Sequence, residues 1–111
     1  MTPLWVARAA INEALFREVN ERIEELHTEL EADGSAEQFI CECSDPACTE
    51  RVTVPLDVYE RVRANPRRFF VKPGHEERSL ERVVERDDGF LVVEKDDPTA
   101  ARIAEQAAAA D

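Results

Sequence analysis

The stretch Gln38-Phe39-Ile40-Cys41-Glu42-Cys43-Ser44-Asp45-Pro46-Ala47-Cys48 holds every cysteine of the chain, and its reading decides the fold. Gln38 to Cys41 has the composition of a strand running into a loop, and Arg51-Val52-Thr53-Val54 that of the strand leaving it. Alternation along an extended chain points Cys41 and Cys43 to the same side. Ser44 to Ala47 can then turn the backbone so that the third sulfur faces the first two. The loop is too polar to be core, and clustered thiols are soft ligands whose protons a bound metal displaces.

A tetrahedral site requires a fourth donor. Arg67 to Lys72, built on Phe69, Phe70 and Val71, reads as a further strand, and Pro73-Gly74 closes it with a sharp bend that sets His75 in place. Asp45, Glu42 and Glu76 are the competing donors for the same position. His27 lies in a helical segment among glutamates and reads as solvated. The expected centre is therefore a Cys3His zinc site of Cys41, Cys43, Cys48 and His75, with one zinc per chain. Its Cys-x-Cys-(x)4-Cys spacing differs from the common Cys-x2-Cys knuckle.

Such a site leaves no open position for the activated water of catalytic zinc. His75-Glu76-Glu77 has the His-x-Glu form of zinc deaminases, yet the Pro-Cys-x-x-Cys that should follow it is missing. No Gly-rich phosphate loop occurs, and no serine sits in a nucleophile elbow.

Outward from the cysteines, residues 7–31 read as one amphipathic helix with Phe16, Val19, Ile23, Leu26 and Leu30 spaced by three and four, widened by Ile11 and Leu15. Glu13, Glu18, Glu21, Glu25 and Glu29, with Arg17 and Arg22, fall on the face expected to meet solvent. Asp33-Gly34-Ser35 ends the helix. The apolar stripe is expected to pack on the domain's own sheet, although the same spacing suits a short coiled-coil seam. Pro55 is expected as the first residue of a second helix with Val58, Tyr59 and Val62 on its apolar face, ended by Asn65-Pro66. Leu80 to Lys95 reads as a hairpin turning at Asp87-Asp88-Gly89. Asp97 and Pro98 open a short helix over 98–110, whose alanine-rich end is expected to fray.

These elements imply one α+β domain over 1–111. A long N-terminal helix and a shorter helix pack on a small, mostly antiparallel sheet, with the zinc loop and sheet region at 37–96. The chain of 111 residues carries a formal net charge of -11. That field repels nucleic acid and anionic membrane, and no run approaches the ~20 apolar residues needed to span a bilayer. Met1-Thr2-Pro3 and the residues after it do not read as an export signal, and an odd cysteine count argues against a disulfide framework. A cytoplasmic setting follows as an expectation. Arg61, Arg63, Arg67, Arg68 and Lys72 form a basic stretch without interleaved aromatics, expected to pair with the first helix or with the anionic thiolate cluster.

The elements Phe39-Ile-Cys-Glu-Cys43, Cys48, Tyr59-Glu-Arg-Val-Arg63, Phe70-Val-Lys-Pro-Gly-His75 and Val93-Glu-Lys95 resemble those of a group of small bacterial proteins sharing Cys-Glu-Cys and Pro-Gly-His. The likeness covers about residues 11–96 and places Val58 where the group has a glutamate. It implies grouping and brings no activity with it. The chemistry leads to a non-enzymatic interaction or regulatory module with structural zinc. A thiol-based redox switch on the same cysteines is the first alternative and a metal-dependent enzyme the second. Its partner is expected to be a protein, or a second copy reached through the N-terminal helix.

Overall fold

The computed structural model describes residues 4–29 and 36–109. Leu30, the Asp33-Gly34-Ser35 stop and the side chain of His27 lie outside the described residues. The chain runs α1 (Leu4–Glu29), β1 (Ala36–Ile40), β2 (Arg51–Pro55), α2 (Leu56–Arg63), β3 (Arg68–Val71), β4 (Glu81–Arg86), β5 (Leu91–Lys95) and α3 (Pro98–Ala109). This is the α+β class read from the sequence, with α1 beginning one turn earlier than residue 7. Pro55 is not helical: its ψ of 140° keeps it extended as the last residue of β2, opposite Ala36, and the helix starts at Leu56.

The sheet is divided in two, β1-β2 and β3-β5-β4, with every pairing antiparallel. The division falls at the cysteines. Cys41 N–H donates to Glu50 O at 3.0 Å and prolongs the first ladder, whereas Glu42 N–H donates to Phe70 O at 2.7 Å and joins the second. Phe70 and Val92 face Phe39, Val52 and Val54 across the interior, closed by Tyr59 and Val62 of α2. Phe69, Val71, Leu91 and Val93 cover the opposite face together with Cys41, Cys43 and Ala104. Burial on both sides explains why β3 and β5 read as unbroken apolar runs.

Stacked rings tie the layers together, with Phe39 and Tyr59 centroids 4.2 Å apart and Tyr59 and Phe70 5.6 Å apart. Such pairs add about 0.5–1.5 kcal/mol each beyond the area they bury. At the other end, Asp97 Oδ1 accepts the Ala100 N–H at 2.9 Å and Pro98 opens α3, as the capping pattern predicts.

The structure overturns part of the reading of α1: Ile23 packs against the core and Glu18, Arg22 and Glu25 are exposed as expected, but other positions are exchanged. Glu13 and Arg17, expected at solvent, are 0% and 2% exposed, and Asn20 on the same face is 0% exposed, while Ile11, Leu15 and Val19 of the apolar stripe are 52%, 54% and 48% exposed. The inward face consists of Val6, Ala9, Ala10, Glu13, Arg17 and Asn20. Its alanines let the backbone approach α3, where Leu80, Ala100 and Ile103 complete a small cluster. Its polar residues meet groups that the sequence order hides: Arg17 and Asn20 hydrogen-bond partners, and Glu13 the Lys95 ammonium. Arg17 Nη2 donates to Ala104 O at 2.7 Å and Nη1 to Pro66 O at 2.5 Å, with the guanidinium 4.7 Å above the Phe69 ring.

Candidate metal centre

Asn20 is the first positioning element. Its Oδ1 accepts the Ile40 N–H at 2.8 Å and its Nδ2 donates to Ile40 O at 2.9 Å, so one side-chain amide grips both backbone groups of the residue before Cys41. Nδ2 also donates to Glu42 Oε2 at 2.8 Å. The other oxygen of Glu42 accepts the Phe70 N–H at 2.8 Å and an Arg63 Nη2 contact at 3.2 Å. Glu42 is thus fully buried and consumed on the side opposite its neighbouring thiols. Alternation about this fixed carboxylate sends Cys41 and Cys43 to the same side.

The loop closes through an Asp45 turn. Cys48 N–H donates to Asp45 O at 3.1 Å, and the Ala47 N–H to Asp45 Oδ1 at 2.9 Å. From the other sheet, His75 N–H donates to Lys72 O at 2.9 Å across Pro73-Gly74. Gly74 has φ +93°, a left-handed conformation that suits the third position of a type II turn. No heavy atom lies within 4 Å of where its Cβ would stand, so the demand for glycine is one of backbone conformation alone. Gly74→Ala is therefore expected to cost about 1–2 kcal/mol. Thermal unfolding of the metal-loaded protein measures it, and an unchanged midpoint would show that the turn adapts freely.

These two loops bring together all four residues singled out in the sequence. The donor atoms of Cys41, Cys43, Cys48 and His75 lie within 4.8 Å of one another. His75 Nδ1 stands 3.7 Å from Cys41 Sγ and 3.5 Å from Cys48 Sγ. Metal–sulfur and metal–nitrogen bonds of about 2.3 and 2.0–2.1 Å at tetrahedral angles give S···N edges of about 3.6 Å. These two edges match a tetrahedral shell, and the four donors together can hold a metal ion. The rival carboxylates are engaged elsewhere: Glu42 as above, Asp45 in its turn, and Glu76 through Gly74 N–H at 2.8 Å and Arg78 at 3.3 Å.

The protons of this group are strongly interdependent. The hydrogen bond between the two thiols lowers Cys43 to about 5, helped by His75 and the Asp45 N–H against the cost of burial. The same bond, together with burial, raises Cys41. Burial raises Cys48 as well. The Lys72 N–H donates to Cys41 Sγ at 3.1 Å, and the nearby Asp45 and Glu50 backbone works to lower Cys43 and Cys48 respectively. Without a cation the group therefore favours one thiolate, on Cys43; a divalent cation would displace the remaining thiol protons and neutralise the repulsion between the sulfurs.

The basic stretch finds partners other than those expected. Arg61 pairs with Glu85, Arg63 with Glu42, Arg67 with Glu105, Arg68 with Glu94 and Lys72 with Glu50. These acids lie on the strands, the cysteine loop and α3. The thiolate cluster draws only on the Lys72 backbone, because the Lys72 ammonium turns outward to Glu50.

Sequence reading missed a second polar cluster. Lys95 Nζ is buried between Glu13 Oε2, 2.5 Å away, and Glu81 Oε1, to which it donates a hydrogen bond. Burial, assisted by the neighbouring Glu81 carboxylate and opposed by Lys95, raises Glu13 to about 8. Glu13 therefore keeps its proton at neutral pH. The signal available in the sequence was the register Val6, Ala10, Glu13, Arg17, Asn20, a second stripe at helical spacing running opposite the apolar one.

No helix among the described residues is long and apolar enough to cross a membrane. Comparison with family models, curated proteins and solved structures gives no match, so the reading of this centre rests on its own geometry.

Proposed function

We propose that the protein is a small zinc-stapled module, non-enzymatic, in which one zinc ion per chain joins the cysteine loop to the Pro73-Gly74-His75 turn. The observation that carries this reading is the convergence of three Sγ atoms and one Nδ1 within 4.8 Å. Three thiolates and an imidazole favour zinc over harder cations, and a shell filled by four protein donors is the pattern of structural sites. Such a shell leaves no coordination position for substrate or water, which argues against an enzyme. The resemblance to the bacterial group fits, because its Cys-Glu-Cys and Pro-Gly-His elements supply three of the four donors.

Oxidation as a primary role is the weaker reading. Cys41 and Cys43 are 1% and 2% exposed, which leaves Cys48 as the accessible sulfur. Slow attack at one partly buried thiolate suits a staple better than a switch. A reducing cytoplasm is the compartment in which such a site stays loaded. The partner is a protein, met through the outward face of α1.

Protein purified under reducing conditions without added metal is expected to carry about one zinc per chain by elemental analysis. A content near zero, or an equal content of a harder cation, overturns the reading.

A further inference from the structure

We infer that α1 is the contact surface for a second copy of this chain, the two helices lying antiparallel about a two-fold axis at Leu15. The inference rests on the reading of the protein as an interaction module and is independent of the metal. Its first ground is the partial inversion of α1. Leu4, Ile11, Leu15, Val19 and Leu26 are all exposed, and at about 100° per residue they fall within about 40° of one line along the helix. That line lies diametrically opposite the face through Val6, Glu13 and Asn20. A helix that spends its polar residues inward and its apolar ones outward has a stripe that the fold leaves uncovered.

The second ground is that the stripe is its own complement. Leu4 and Leu26 are equidistant from Leu15 in the sequence, and so are Ile11 and Val19. Turning one helix over onto another about Leu15 therefore sets Leu4 against Leu26 of the second copy and Ile11 against its Val19, while the two Leu15 side chains meet on the axis. This is the relation a closed two-fold interface requires, with residue i meeting j and j meeting i. The helix of 26 residues is about 39 Å long by its rise per residue, and the stripe from Leu4 to Leu26 takes up about 33 Å of it.

Charge selects the antiparallel arrangement. Arg8 and Arg22 also lie in the stripe, and Arg22 Nη1 is already turned to Glu25 Oε2 of its own helix at 3.0 Å. In the antiparallel pair Arg8 comes level with Arg22 of the second copy and lies between its Glu18 and Glu25, one turn to either side. Both arrangements bring arginine beside arginine, but the antiparallel one adds Arg8 to the group Glu18, Arg22 and Glu25, whose two acids outnumber its one cation, whereas a parallel pair sets Arg8 beside Arg8 with no acid within one turn.

Sedimentation equilibrium on the zinc-loaded full chain tests this. The wild type is expected to show a monomer–dimer equilibrium at concentrations up to on the order of 100 µM. Leu15→Arg, which brings two cations together on the axis, is expected to weaken it by about 100-fold or more. Because residue 15 is exposed on the domain, circular dichroism and zinc content should not change. Arg8→Glu alone, and Glu18→Arg with Glu25→Arg, should each weaken self-association, and mixing the two variants should restore a heterodimer. A wild type that stays monomeric, whether or not it captures another protein, overturns the inference. So does a Leu15→Arg protein that still dimerises. Failure of the mixed charge variants to pair overturns the antiparallel arrangement. A zinc-loaded monomer sinks the dimer alone, and a zinc-free dimer sinks the metal reading alone.

Discussion

Replacing Cys41 or Cys43 by serine is expected to release the metal and lower the melting temperature by at least about 20 °C, the equivalent of about 5 kcal/mol in a domain of this size. Structural zinc contributes an apparent binding free energy of about 10–16 kcal/mol in zinc-finger peptides, comparable to the whole stability of a small domain at about 5–15 kcal/mol. Here the loss is tempered by a core that does not depend on the ion, the Phe39–Tyr59–Phe70 stack between the two sheets. The cysteine loop has no such support. Pro46 and Ala47 are exposed, and beyond the Cys41 and Glu42 amides that join it to the strands its backbone is tied by the local Asp45 turn.

Cys48→Ser should also release the metal with a smaller packing loss, since Cys48 is only partly buried. His75→Ala should retain zinc with weakened affinity, because three thiolates remain. Asp45→Asn and Glu76→Gln should keep full zinc content, as both carboxylates serve local turns. Calorimetry with elemental analysis of the same samples decides the matter. A Cys43→Ser protein that loses zinc and melts with the wild type would show that the site is not a staple.

Lys95→Met is expected to be nearly as damaging, at about 3–5 kcal/mol, because it removes the cation from a buried cluster and leaves Glu13 and Glu81 facing one another. Glu13→Gln should cost far less at pH 7, since Glu13 is already protonated there. The two variants also separate in their pH dependence. With Glu13 raised to about 8 in the folded protein and near 4.5 when unfolded, its contribution is fully present below pH 4.5 and is lost as pH rises through about 8. Between those values folding takes up a proton at this group, so stability falls by about 1.4 kcal/mol per pH unit from this source.

The carboxylates lowered by arginine partners, Glu85 and Glu94, act in the opposite sense and below that range, losing their contribution as pH falls. Chemical denaturation of the zinc-loaded protein between pH 6 and 9, a window chosen to lie across the raised Glu13 value, should therefore show declining stability in the wild type and a flatter profile in Glu13→Gln. Parallel profiles would mean that Glu13 titrates normally.

The sequence by itself determined what depends on neighbours along the chain. Strand entry at Phe39, the Pro73-Gly74 bend before His75, the Asp97 cap and the apolar runs of β3 and β5 all follow from local conformational preference and burial on both faces. The four donors were legible for the same reason: few residue types bind a soft metal, and three of them share one short loop. The choice of His75 over Glu42, Asp45 and Glu76 needed the fold, because only there is each carboxylate seen to be satisfied by another donor.

The tertiary structure alone decided which face of α1 turns inward. Periodicity locates a stripe but carries no information about what lies opposite, so an apolar stripe was assigned to the core and a charged one to water. Lys95, Ile40, Glu42 and the Ala104 and Pro66 carbonyls are distant in sequence from Glu13, Arg17 and Asn20, and only folding brings them within hydrogen-bonding distance. Those partners offset the burial of Arg17 and Asn20, burial of Glu13 is met by raising its pKa, and the apolar side of the helix is left facing out.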